Sequence, residues 1–167
     1  MKKVITADQI ATRVRALGDE IREDAGDEEI VLLAVLKGTT IFLADLMREI
    51  EGDVRYELIN VVRAVADTET AEALQINFMT NFFFEGKKTV LLKDVVSTGV
   101  IESYLMTQLN QKHPHEMKLA ALLDRPELRT VPLEVDYPAF SVEEGTYVGY
   151  GLEKNRSYCN LKDIYRI

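Results

Sequence analysis

Three short, nearly unbroken apolar runs constrain this chain more than any other feature: EIVLLAVLKG at 29–38, TVLLK at 89–93 and MKLAALL at 117–123. They lack the polar alternation of a half-exposed strand, and their length and branched residues suit strands buried on both faces. Segments of helical period separate them. Residues 7–25 carry Ile10, Val14, Leu17 and Ile21 at helical spacing behind a capping box at Thr6-Ala7-Asp8-Gln9, and Gly26-Asp27 ends the segment. Residues 41–50 turn Ile41, Leu43, Leu46, Met47 and Ile50 mostly inward, with Thr39 and Thr40 as capping candidates. A third helix is expected from about 100 to 112, stopped by His113-Pro114. Strands alternating with helices predict an α/β fold, a parallel sheet covered on both faces.

The remaining segments fill in that plan. VRYELINVV at 54–62 reads as a strand, and the polar stretch at 63–73 as a mobile loop. LQINFMTNFFF alternates by twos, so an antiparallel strand is expected there, turned by EGKK at 85–88. Two shorter strands are expected at 133–140 and 146–151. The 167 residues suit a single domain, 1–167.

In a parallel sheet, ligands bind beyond the carboxyl ends of the strands, which selects the loops 36–40, 94–101 and 124–129. Ser97, Thr98 and Gly99 stand where a strand becomes a helix. The free amides of a first helical turn, helped by hydroxyls, make a general anion site there, and simple N-capping by Ser97 or Thr98 fits the same residues. Lys37-Gly38 lets backbone approach a ligand closely, or forms an ordinary turn. Arg125 is placed to donate to a ligand carbonyl, or is a solvated loop charge. His113 and His115 flank a proline with no third ligand near, which argues against a metal site.

Charge and cysteine count narrow the function. The net charge of −8 argues against a nucleic-acid partner, whose phosphates need lysine and arginine. A phosphorylated small molecule remains possible, bound through local amides or a cation. No apolar run approaches the roughly 18 residues of a membrane span. The single cysteine, Cys159, excludes an internal disulfide and implies a cytoplasmic setting.

Taken together, VITADQIATRVRALGDEI, VLKGTTIFLADLMREI, ALLDRPELRTVPLEVDYPAF, YVGYGLE and the late Asn160-Leu161 resemble, in order and spacing, the type I phosphoribosyltransferases of the hypoxanthine (6-oxopurine) branch. The resemblance implies a parallel sheet flanked by helices, with a small hood built from both chain ends. It implies transfer of 5-phosphoribosyl from phosphoribosyl pyrophosphate to a purine base, with Mg²⁺, in a homo-oligomer (dimer or tetramer). Pyrophosphate would meet Leu36, Lys37 and Gly38, with a non-proline cis bond at Leu36–Lys37. The 5′-phosphate would meet Ser97, Thr98, Gly99, Val100 and Ile101. Catalytic positions would be Lys93, Asp94 and Ser97, base contacts Arg125, Tyr147 and Glu153, and metal ligands Asp94 and Glu153. Residues 63–74 would be the lid.

Several of these positions depart from the family pattern. Lys93 replaces the first of two adjacent acids, and Ser97 replaces the aspartate that serves as base toward purine N7. Ile101 replaces a phosphate-binding threonine, Arg63-Ala64 the lid's Ser-Tyr, Cys159 a pyrophosphate-binding arginine, and Arg125 a lysine. Glu153 replaces an aspartate conservatively. The base-stacking aromatic aligns with Thr146, one residue before Tyr147. Glu102 is expected to add negative charge near the phosphate loop, and Lys93 to lend an ammonium in partial place of metal charge. Weak or altered activity is expected, with a catalytically degenerate nucleotide-binding or regulatory paralogue as the alternative.

Overall fold

The apolar runs form the middle of a six-stranded sheet. The computed structural model describes residues 1–64, 73–78 and 83–167. In chain order its elements are β1 (Lys2–Ile5), α1 (Ala7–Ala25), β2 (Ile30–Val35), α2 (Thr40–Glu49), β3 (Val54–Ala64), β4 (Ala73–Phe78), β5 (Lys88–Val96), α3 (Val100–Asn110), β6 (Glu116–Asp124), β7 (Tyr137–Ser141), β8 (Tyr147–Val148) and β9 (Ile164–Arg166). The main sheet runs β4-β3-β2-β5-β6-β7, with β4 alone antiparallel to its neighbour. A second sheet, β1-β9-β8, joins both chain ends into the hood that the resemblance implies.

Strand alternation divides the core in two. Ile30, Leu32, Ala34, Val90 and Leu92 face α1 and α2, and Val31, Leu33, Val35 and Leu91 face Leu105 and Leu109 of α3. All six residues of β2 are buried, as its unbroken apolar run requires. Each fully buried leucine or isoleucine contributes about 1.5–3 kcal/mol. The crossover from β2 through α2 reaches β3 on one side, and that from β5 through α3 reaches β6 on the other. The sheet therefore reverses direction between β2 and β5, and the loops after these two strands splay apart into a crevice.

Helix α1 keeps its expected limits because its caps are local chemistry. Gln9 N donates to Thr6 Oγ1 at 3.2 Å, and Thr6 N donates to Gln9 Oε1 at 2.8 Å. The Gly26 N–H closes the other end on Arg22 and Glu23 carbonyls. Thr39 and Thr40 do not cap α2 as expected. Their hydroxyls donate backwards, to Val35 O at 2.6 Å and Lys37 O at 2.7 Å, and so fix the preceding loop instead.

Other boundaries shift for physical reasons. Strand β7 starts at Tyr137 rather than 133, because just before it the Asp136 carboxylate takes the Leu119 N–H of β6 at 2.8 Å in place of a main-chain carbonyl. Strand β8 stops at Val148, where Gly149 at φ 99° turns the chain away. Strands β3 and β4 extend into the segment expected as a loop, and the rest of the lid lies outside the described residues. Phe84 is buried in the α3-side core and Phe83 is exposed, while Phe82 lies outside the described residues.

Candidate active site

The crevice is built from the two loops at the reversal point. After β2, the Leu36–Lys37 peptide is cis. Leu36 N donates to Ile59 O at 2.9 Å and Thr40 N to Lys37 O at 3.2 Å, which pin the loop to β3 and to α2. Gly38 is required by close approach: a methyl there would lie 2.2 Å from Asp94 Oδ2. The Asp94 carboxylate thus rests directly against the Lys37-Gly38 loop. Its other oxygen accepts from Val95 N at 2.8 Å.

After β5, the chain turns through Gly99, the N-cap of α3, at φ 81°. This is left-handed space that a Cβ disfavours, and the α3 N-cap is glycine rather than Ser97 or Thr98. Thr98 Oγ1 accepts from Val100 N at 3.4 Å. The first bond inside the helix runs from Ser103 N to Gly99 O, so the amides before it have no acceptor within the helix. Free amides of this kind are the groups with which a helix start can hold an anion.

Arg129, which the sequence did not single out, clamps this loop from behind. Its Nη1 donates to Ser97 O at 2.5 Å, its Nε to Leu133 O at 3.2 Å, and its Nη2 to Asp124. Thr130 N donates to Thr98 O at 3.0 Å. These bonds hold the carbonyls of 97 and 98 on the far side of the loop. An arginine within a few residues of the β6 end was the available signal, but only the fold brings it to residue 97.

Charges line the crevice in pairs. Lys37 Nζ lies 2.9 Å from Glu153 Oε1. Lys93 Nζ lies 3.3 Å from Asp94 Oδ1 and 3.6 Å from Glu102 Oε1. Glu102 lies in the first turn of α3, next to the turn at 97–99, but it is buried there, and among the described residues pairing with Lys93 offsets its desolvation. Ile101 likewise packs against the α3-side core. Val100 is exposed at the loop's rim.

Arg125 is the next wall. Its Nη2 donates to Gly145 O at 2.6 Å and its Nη1 to Ser97 Oγ at 3.4 Å, and its guanidinium lies 5.3 Å from the Tyr147 ring centroid. Tyr147 is buried and its hydroxyl donates to Glu143 O at 3.0 Å. The ring thus supports Arg125 rather than standing free in the crevice. Arg125 Nε is buried without a hydrogen-bond partner among the described residues. The hood leans on the first loop, since a methyl at Gly151 would lie 2.6 Å from Gly38 O. Cys159 is half-buried, and its carbonyl accepts from Gly151 N at 2.9 Å.

The two carboxylates expected to hold Mg²⁺, Asp94 and Glu153, are each paired with an ammonium. Among the described residues, no group of three His, Cys, Asp or Glu side chains converges in a way that could hold a metal ion. Each carboxylate would have to give up its ammonium to take a divalent ion, and Mg²⁺ usually needs substrate phosphates beside one or two carboxylates, so this donor set does not fit an ion resident without substrate. Among the described residues, no helix is long and apolar enough to cross a membrane.

Comparison with known proteins agrees with this architecture. A phosphoribosyl transferase domain profile matches residues 3–155. A hypoxanthine-guanine phosphoribosyltransferase of Mycobacterium avium is 29% identical, over 96% of this chain and 82% of its own. The crystal structure of a hypoxanthine-guanine phosphoribosyltransferase from Bacillus anthracis superposes with a TM-score of 0.92 at 31% identity, covering 100% of this chain and 98% of that one. The hypoxanthine phosphoribosyl transferase of Trypanosoma cruzi gives a TM-score of 0.91 at 29% identity, covering 100% and 91%.

Proposed function

This chain belongs to the phosphoribosyl transferase family, and from that premise we propose that it transfers the 5-phosphoribosyl group of phosphoribosyl pyrophosphate to a 6-oxopurine base. The observation that carries this reading is the pair of loops diverging from adjacent strands β2 and β5, with Asp94 packed between them against Gly38. Two anion-binding loops on neighbouring strands suit a ligand with a phosphate at each end of one sugar. Pyrophosphate lies along Leu36-Lys37-Gly38, and the 5′-phosphate lies in the turn 97–101. The ribose spans Lys93 and Asp94, and the base reaches Arg125, Tyr147 and Glu153. With Asp94 and Glu153 each paired to an ammonium, any Mg²⁺ would accompany the substrate and would offset charge on the leaving pyrophosphate.

In the reaction the anomeric carbon–oxygen bond to pyrophosphate breaks, a carbon–nitrogen bond to the purine forms, and the purine nitrogen loses a proton. Amides and Lys37 take up the growing charge of pyrophosphate. The Ser97 hydroxyl is no base near neutral pH, so that proton passes to solvent. Loss of a positioned base typically costs about 10²–10⁴ in rate. The same serine favours a second reading, a purine-nucleotide-binding or regulatory paralogue without turnover. The reading places the protein in the cytoplasm and in a homo-oligomer, dimer or tetramer. Its single cysteine supports the first of these.

The test follows pyrophosphate release from phosphoribosyl pyrophosphate with hypoxanthine, guanine or xanthine, beside thermal melts with the matching nucleoside monophosphates. Turnover that falls in Lys37→Ala supports the transferase. A nucleotide-dependent rise in Tm without turnover supports the second reading. No response in either assay removes both.

A further inference from the structure

We infer that this chain carries its own cation beneath the ribose: the Lys93 ammonium, locked between Glu102 and Asp94, takes the place of a divalent ion held by the protein. Binding of phosphoribosyl pyrophosphate therefore depends only weakly on Mg²⁺. The inference rests on the transferase reading of the crevice.

The strand pattern puts Lys93 in this position. Leu91 faces α3 and Leu92 faces α1 and α2, so Lys93 leaves β5 toward α3 and Asp94 toward the Lys37-Gly38 loop. Lys93 then reaches back over the strand end, its nitrogen 3.6 Å from Glu102 Oε1 on one side and 3.3 Å from Asp94 Oδ1 on the other. The lysine side chain is 14% exposed and that of Glu102 6%. An ammonium this enclosed is fixed rather than waving in solvent, and it sits between the two anion loops.

Glu102 has no role on its own that explains its burial. A carboxylate in the first turn of a helix gains from the helix dipole while still solvated, but taking it out of water costs more than that gain. Opposite Lys93, the cost is offset by pairing. The two residues form a unit that places one positive charge at the end of β5.

The charge count gives the consequence. Lys93 (+1), Asp94 (−1) and Glu102 (−1) sum to −1, whereas an acid at position 93 would make the sum −3. A divalent ion approaching Asp94 meets an ammonium 3.3 Å from Oδ1, while Oδ2 rests against Gly38. The second metal candidate, Glu153, is paired with Lys37. An enclosed ammonium thus faces Asp94, and an exposed one, Lys37 at 64%, faces Glu153.

Calorimetric titration of phosphoribosyl pyrophosphate into the whole chain, in chelator and in saturating Mg²⁺, tests this. In the wild type, Kd differs between the two media by less than about threefold, under 1 kcal/mol. In Lys93→Met/Glu102→Leu, which removes both charges, Kd in chelator weakens by about tenfold or more and Mg²⁺ restores part of it. A wild-type Kd that weakens more than about tenfold in chelator overturns the inference alone. So does a double variant whose melting curve shows it folded but whose two Kd values keep the wild-type ratio. Should that variant not fold, the wild-type ratio decides. Absence of binding in both media removes the transferase reading, and the inference with it.

Discussion

Glu102→Ala is the sharpest structural test of the Lys93 unit. The substitution leaves an ammonium only 14% exposed, with Asp94 at 3.3 Å as the remaining counter-charge. Removing one partner of a buried pair costs about 3–5 kcal/mol, because the survivor is left desolvated. Asp94 is 30% exposed and keeps part of the compensation, which puts the expected loss at the lower end, about 3 kcal/mol. For a chain of this size, about 2–4 °C accompanies each kcal/mol, so Tm should fall by about 6–12 °C. Lys93→Met/Glu102→Leu removes both charges and fills the space with apolar atoms, and it should be near neutral or stabilising. Urea unfolding of wild type, Lys93→Met, Glu102→Leu and Lys93→Met/Glu102→Leu closes the cycle. A Glu102→Ala Tm within about 1 °C of wild type, or a double variant as unstable as the single, would refute the reasoning.

Gly38→Ala places a methyl 2.2 Å from Asp94 Oδ2. Rotation of that carboxylate keeps the stability cost near 1 kcal/mol, while pyrophosphate affinity measured by calorimetry should fall about tenfold. Arg129→Lys exchanges a fork that holds Ser97 O, Asp124 and Leu133 O for a point charge. Nucleoside monophosphate Kd should rise about tenfold with an unchanged far-ultraviolet spectrum. In the hood, the Lys3 side chain and the Ala7 N–H hold the Asp163 carboxyl below its ordinary range. A depressed pKa stabilises above the unfolded value near 3.9 and loses that contribution as pH falls through the folded one. Tm should therefore drop below about pH 4, and less steeply in Asp163→Asn.

Features decided by neighbours in sequence could be read without the fold. Helix α1 was one, because Thr6, Gln9 and Gly26 settle their own hydrogen bonds within a few residues. The burial of β2 was another, since an unbroken run of Ile, Val, Leu and Ala leaves no face for water. The two crevice loops were among three selected from the alternation of strands and helices, which puts ligands beyond the carboxyl ends of parallel strands. Features that need two elements in register could not be read. Lys93 and Glu102 meet only once the twist of β5 and the phase of α3 are both known. Arg129 needs the β6 end folded against the turn at Ser97. Thr39 and Thr40 carry hydroxyls suited to a cap, but the sharp turn after Val35 offers them backward carbonyls at short range. Tyr147 was ambiguous for a related reason: one residue of shift decides which face of β8 it takes.

Three departures from the family pattern, at 93, 97 and 101, fall around the turn after β5, and the structure shows how the fold accommodates them. The shape of the turn after β5 depends on Gly99 at positive φ and on main-chain carbonyls held by Arg129 and Thr130. None of these bonds uses the side chain of residue 97. An acid can therefore give way to Ser97 without loosening the cradle, because the groups that grip an anion there are amides. The charge at 93 is likewise balanced by Glu102 beneath it rather than by solvent. On the proposed reading, amides hold the 5′-phosphate at this turn and the side chain at 97 would handle the proton, so these two functions can change independently. Ligand affinity can thus persist in a chain whose turnover has fallen by the factor that a missing base removes, about 10²–10⁴.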